Sequence, residues 1–166
     1  MAVTEDRRRA SPALALKVRA MRFLARREHS RAELRRKLLT EDVDGSTVDV
    51  LLDELEFKQL LSDRRFAEVL ARSRGGRYGV ASLYRILAKQ GVSPEFAAAA
   101  LAPLSETEHE RALAIWNRRF GSPPGDIKAR ARQHRFLLSR GFDAATISWI
   151  FKRVGKPTAK DDAEPV

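Results

Sequence analysis

Three strips of this chain decide its fold: Phe23-Leu24-Ala25-Arg26-Arg27-Glu28, Val69-Leu70-Ala71-Arg72-Ser73-Arg74 and Ile115-Trp116-Asn117-Arg118-Arg119-Phe120. They repeat at offsets of 46 and 46, each with two apolar positions followed by an arginine at the same place, Arg26, Arg72 and Arg118. A second set follows in the same order. Leu34-Arg35-Arg36-Lys37-Leu38 aligns with Leu83-Tyr84-Arg85-Ile86-Leu87 and with Gln133-His134-Arg135-Phe136-Leu137, superimposing Arg36, Arg85 and Arg135. Gly45, Gly91 and Gly141 then punctuate the three units. Ordered self-similarity at a period of 20–50 residues is the mark of a repeat architecture.

Working outward from the strips, helix signals divide each unit in three. Ser11-Pro12 reads as an N-cap with proline at the first helical position. Ser30-x-x-Glu33 and Ser105-x-x-Glu108 read as capping boxes. Ser93-Pro94, Asp143 and either Ser46 or Thr47 start the third helices. The punctuating glycines supply a left-handed residue that stops each second helix. Val48, Leu51, Leu52 and Leu55 recur at i, i+3, i+4, i+7, as do Ile147, Ile150, Phe151 and Val154. The expectation is an all-α chain of three tandem three-helix repeats, 12–61, 62–104 and 105–154, stacked as an elongated curved array. Residues 1–11 and 155–166 are expected to be disordered tails.

Composition sets the limits on function. With no cysteine there is neither a disulfide framework nor a thiolate metal site. The longest apolar run, 96–102, is too short to span a bilayer, and the first thirteen residues lack the apolar core of a signal peptide, so the chain reads as a cytoplasmic protein with no membrane partner. His29, His109 and His134 stand in different repeat contexts without a metal-ligand spacing, and no nucleophile elbow, Walker loop or dinucleotide loop occurs. No enzyme activity, metal or cofactor is expected. Gly75-Gly76-Arg77-Tyr78-Gly79 is the one glycine-rich stretch, read as a helix–helix connection that can project Arg77 and Tyr78 toward a ligand. Trp116 replaces Leu24 and Leu70 in its strip and reads as core; Trp149 lies beside an apolar stripe and reads as partly buried.

Net charge is +10, from 32 basic and 22 acidic residues, and the two tails cancel, so the charge belongs to the folded part. The repeats carry +1, +4 and +5 in order. Such a surface suits a polyanion. Arginine outnumbers lysine 24 to 8, which favours bidentate recognition of phosphate or carboxylate, although a GC-rich coding bias would give the same excess. The candidate binding face is Arg26, Arg36, Arg72, Arg74, Arg77, Tyr78, Arg85, Lys89, Arg118, Arg135 and Arg140. The first repeat is itself polarised, with basic residues from Lys17 to Lys37 and acids from Glu41 to Glu56. Asp49, Asp53, Glu54 and Glu56 form a candidate acidic patch for a basic partner, or else balance the neighbouring basic helices.

An ordered set of short motifs adds a family resemblance. Leu61-Ser62-Asp63-x-x-Phe66-Ala67, then Arg74, then Gly79-x-x-x-Leu83-x-x-x-Leu87-x-x-x-Gly91-Val92, and finally Phe136-Leu137-x-x-Arg140-Gly141-Phe142, with Arg26-Arg27-Glu28-His29-Ser30-x-x-Glu33-Leu34-x-x-Lys37-Leu38 before them, resemble the RecX family of bacterial recombinase regulators. Two positions depart from it: Ile86 stands where an acidic residue is common and Gln90 where a basic one is. The resemblance implies three three-helix repeats without catalytic activity. It also implies binding to the RecA recombinase and to its filament on single-stranded DNA, with inhibition of the RecA ATPase, strand exchange and coprotease in DNA repair and recombination. The repeats supply one another's buried faces, which predicts a monomer, and the basic surface predicts weak, non-specific affinity for nucleic acid. The competing reading is a basic helical DNA-binding or architectural protein of helix-turn-helix type that acts without RecA.

Overall fold

The computed structural model describes residues 12–40 and 42–155. Among these residues there are nine α-helices and no strand: α1 Pro12–Leu24, α2 Arg31–Leu38, α3 Gly45–Phe57, α4 Asp63–Arg74, α5 Val80–Lys89, α6 Pro94–Glu106, α7 Glu108–Arg119, α8 Ile127–Ser139 and α9 Ala144–Val154. They follow one another as three successive triplets. The cap at Ser11 and the tails, apart from Gly155, lie outside the described residues; Gly155 closes α9 through its N–H to the Phe151 carbonyl.

The described residues form two compact units, 12–69 with 86–100 and 70–85 with 101–155. The division falls inside α4, α5 and α6. In the first unit, helices α1, α2 and α3 pack mutually around Leu16, Ala20, Leu34, Leu38 and the expected stripe Val48, Leu51, Leu52 and Leu55. In the second unit, α7, α8 and α9 close around Ala112, Ile115, Trp116, Leu137, Phe142, Ile147, Ile150 and Phe151. Trp116 is core, its Nε1–H donating to the buried Gln133 Oε1 at 2.8 Å, and Trp149 is half-buried against His109.

Several expected helix boundaries hold. Ser30 accepts the Glu33 N–H, Ser93 accepts the Phe96 N–H, and Asp143 accepts the Thr146 N–H, each satisfying an otherwise orphaned donor of a first turn. Gly91 and Gly141 are left-handed, at φ +75° and +84°, and stop α5 and α8. Three expectations need correction. Gly45 does not stop a second helix, and neither Ser46 nor Thr47 starts the third: Asp44 caps α3 by accepting from the Ser46 and Thr47 N–H groups, and Gly45 becomes the first helical residue. Ser105 does not start a helix either, because α6 runs on through Pro103 to Glu106. The Ser105 hydroxyl donates back to the Leu101 carbonyl, and Thr107 flanks α7 without a side-chain cap bond.

The family-like motifs are joints of this architecture. Asp63 accepts the Arg31 N–H at 2.7 Å, tying α4 to the start of α2, and burial raises its carboxyl above the ordinary value. Leu61, Phe66, Ala67, Leu83, Leu87, Val92, Leu137 and Phe142 are all buried. Ser30, fully buried, also donates to the Gln90 carbonyl at 2.7 Å while capping α2. Ser30→Ala would leave both a helix N–H and the Gln90 carbonyl without this partner. It is expected to lower stability by about 2 kcal/mol, readable as a reduced urea midpoint with unchanged slope.

Candidate functional site

The charged groups divide sharply between the units. Nine lysine or arginine ion pairs occur among the described residues and every one lies in the first unit, where residues 12–69 and 86–100 carry 13 basic and 12 acidic groups. Residues 70–85 and 101–155 carry 14 basic and 5 acidic groups, a net +9, with no ion pair among them. Of those five acids, Asp126 and Asp143 are occupied as N-caps, and Glu108 accepts the Val80 N–H at 2.8 Å.

The acidic candidates all have cations beside them. Asp49 takes Arg35 in a two-pronged contact at 2.7 and 3.0 Å, Asp53 and Glu56 share Arg31 at 2.7 and 2.6 Å, and Glu54 takes Lys17 and Lys58. Lys17 and Lys58 hold the Glu54 carboxyl down at about 2. These contacts clamp α1 and α2 onto α3, and a paired carboxylate projects little net field into solvent. Beside them, burial would raise the Glu33 carboxyl, but Arg27 and Lys37 outweigh it and hold it at about 2. His29 is buried, with Lys37 Nζ 3.0 Å from its Nε2, and burial keeps it below its usual value.

Both shifts have the same sign for stability. A carboxyl depressed to about 2 from 4.5 contributes fully above 4.5 and loses that contribution as pH falls toward 2; a depressed histidine adds a loss beginning below 6.5. Stability is therefore expected to fall between pH 6.5 and 3. In Glu33→Gln the acid part of that slope should shrink by an amount on the order of 2 kcal/mol, measured by urea denaturation across the range.

Of the basic candidates, Arg26, Arg36, Arg72, Arg74, Arg77, Arg85, Lys89, Arg118 and Arg135 are exposed; Arg140 and Tyr78 are half-buried. None of the ten cations makes an ion pair among the described residues. Arg26, Arg36 and Lys89 belong to the first unit. There Arg36 donates to Gln90 Oε1 at 2.8 Å. The other seven cations and Tyr78 belong to the second unit, on α4, the 75–79 turn, α5, α7, α8 and the turn after α8.

The second unit brings three of them together. Arg77, Arg118 and Arg140 line one open groove of about 420 Å³ with Gly76, Ile115, Phe136 and a fourth arginine, Arg119, which the repeat alignment did not single out although it directly follows Arg118. Arg140 lies over the rings of Tyr78 and Phe136, 5.5 and 5.2 Å from their centroids, and Arg119 lies over Phe120 at 5.8 Å. The turn carrying Arg77 is set by Arg111, whose half-buried guanidinium donates to the carbonyls of Gly75, Tyr78 and Leu104 at 2.6 to 2.9 Å, and whose pKa burial lowers. Arg72, Arg74, Arg85 and Arg135 are not part of that groove. Among the described residues no cluster of histidine and carboxylate could hold a metal ion, and no helix is long and apolar enough to cross a membrane.

Comparison with known proteins fits this geometry. Residues 17–55 match the model for the first three-helix domain of RecX, and residues 106–151 match the model for the third. The regulatory protein RecX of Ralstonia pickettii is 46% identical over 137 residues, covering 82% of this chain and 86% of that one. This chain belongs to the RecX family of regulatory proteins. A RecX from Ralstonia nicotianae is 45% identical over 154 residues, 92% of this chain and 96% of its own. The crystal structure of RecX from Lactobacillus salivarius shares the fold, with a TM-score of 0.73 at 19% identity over 86% of this chain and 96% of that one. RecX membership gives the three-helix repeats.

Proposed function

We propose that this protein is a non-catalytic regulator that binds the RecA recombinase and its filament on single-stranded DNA, and restrains RecA's ATPase, strand exchange and coprotease activities. It acts as a monomer in the cytoplasm and needs no cofactor. Family membership supports the regulatory role. The observation that carries the choice of partner is the second unit's excess of nine positive charges with no ion pair among its described residues. An unpaired guanidinium surface gains most from a partner dense in phosphate or carboxylate, and a nucleoprotein filament presents both at regular intervals. The second unit's seven candidate arginines spread over four helices and two turns, whereas a helix-turn-helix reader concentrates contacts on one recognition helix.

The test is capture of RecA by the immobilised full chain, with and without single-stranded DNA and a slowly hydrolysed ATP analogue. Retention should be much stronger when filament forms, because repeated sites act at high effective concentration. No retention under either condition overturns the reading. Tight sequence-selective binding to duplex DNA without RecA would favour the helix-turn-helix alternative.

A further inference from the structure

The second unit's basic surface is not uniform. The groove holding Arg77, Arg118, Arg119 and Arg140 contains four guanidinium groups and no carboxylate. It shares a wall, Arg119 and Phe136, with a second open groove of about 560 Å³ that adds Arg132 and Phe120. Five arginines therefore line two adjoining grooves, with the half-buried, edge-to-face pair Phe120 and Phe136 (centroids 5.3 Å apart) at their junction. Stacking of Arg140 and Arg119 on aromatic rings holds two of the cations in place before any ligand arrives, which lowers the ordering cost of binding.

We infer that these adjoining grooves form a discrete site for the phosphodiester backbone of single-stranded nucleic acid. A cationic track braced on aromatic rings suits single-strand binding: arginine N–H groups follow the backbone while unpaired bases stack on the guanidinium planes. Cations spread over two grooves exceed what one mononucleotide's phosphates require. A duplex keeps its bases inside, so it reaches the guanidinium N–H groups but offers no base to their planes. The inference rests on the regulatory reading above and sharpens it, assigning the strand contact to α7, α8 and the 75–79 turn.

The experiment is fluorescence anisotropy of a labelled oligothymidylate with the full chain and no RecA. It compares R118E/R119E with K128E/K152E, which changes net charge equally at two exposed lysines outside both grooves. The groove variant should lose at least tenfold in affinity and the control less than threefold. For R118Q/R119Q, a milder change that guards against misfolding, the slope of log affinity against log salt should flatten by about 1.4, two single-strand phosphate contacts' worth. Equal losses in the two charge-reversed variants, an unchanged salt slope, or displacement of the oligonucleotide by micromolar ATP would each overturn the site. Because RecA is absent, these outcomes are independent of the capture experiment, whose failure would instead remove the filament reading.

Discussion

Alanine at Gly141 is expected to lower the stability of the protein by about 3 kcal/mol or more. Gly141 sits at φ +84°, a conformation that costs an L-residue about 1–2 kcal/mol. There is no room either: a Cβ would lie 2.7 Å from the Ser82 backbone nitrogen and closer still to the Ser82 Cβ. The approach is mutual, because Gly79 donates its N–H to the Arg140 carbonyl at 2.8 Å, and a Cβ on Gly79 would strike the Gly141 carbonyl and come within 2.7 Å of the Phe142 nitrogen. Start of α5 and turn after α8 thus meet backbone to backbone, and relieving either clash means moving backbone at an overpacking cost of about 1–3 kcal/mol more. For a chain of this size the melting temperature should drop by about 10 °C. Gly76→Ala is the control, since a Cβ there meets nothing within 4 Å. A Gly141→Ala protein melting within 2 °C of the parent would mean that this junction is not formed as described.

The second large effect is functional. Reversing Arg72, Arg85 and Arg118 together, on α4, α5 and α7, takes the second unit from +9 to +3. All three side chains are exposed and none is ion-paired among the described residues, so the folded state should lose less than about 1 kcal/mol. Affinity for the RecA filament at about 0.1 M salt should fall at least tenfold, since each lost phosphate contact forfeits counterion release and screening leaves mainly short-range contacts. Titration of fluorescently labelled protein onto preformed filament reads this directly. Unchanged affinity with an unchanged melting curve would mean that the arginine surface is not the binding face.

The sequence carried the architecture because repetition is visible in spacing. Stripes such as Val48, Leu51, Leu52 and Leu55 sit at helical intervals, and Asp143 or Ser30 before a helix has one dominant use. Gly45 misled because a glycine after aspartate serves equally as the first residue of a capped helix, and Ser105 misled because a proline three residues from the end of α6 does not stop it. The surface was less legible. Arg35 and Arg36 are neighbours in sequence, yet a rotation of one helical residue gives Arg35 to Asp49 and leaves Arg36 without an acid. Arg26 and Arg27 divide in the same way, with Arg27 on Glu33. Exposure of the acids was hidden too, since pairing of Asp49, Asp53, Glu54 and Glu56 depends on how α1, α2 and α3 meet. The motifs that mark the family, Asp63, Gly79, Gly141 and Phe142 among them, hold helices together, while most of the unpaired arginines fall outside those motifs.

ATP hydrolysis by RecA on single-stranded DNA, followed while this protein is titrated in, tests most directly whether the unpaired arginine surface serves a recombinase regulator. Hydrolysis is predicted to fall at substoichiometric protein, and to fall less when the same amount of the Arg72, Arg85 and Arg118 reversal variant is added. Hydrolysis that stays at its starting rate up to equimolar folded wild-type protein would contradict the regulatory role.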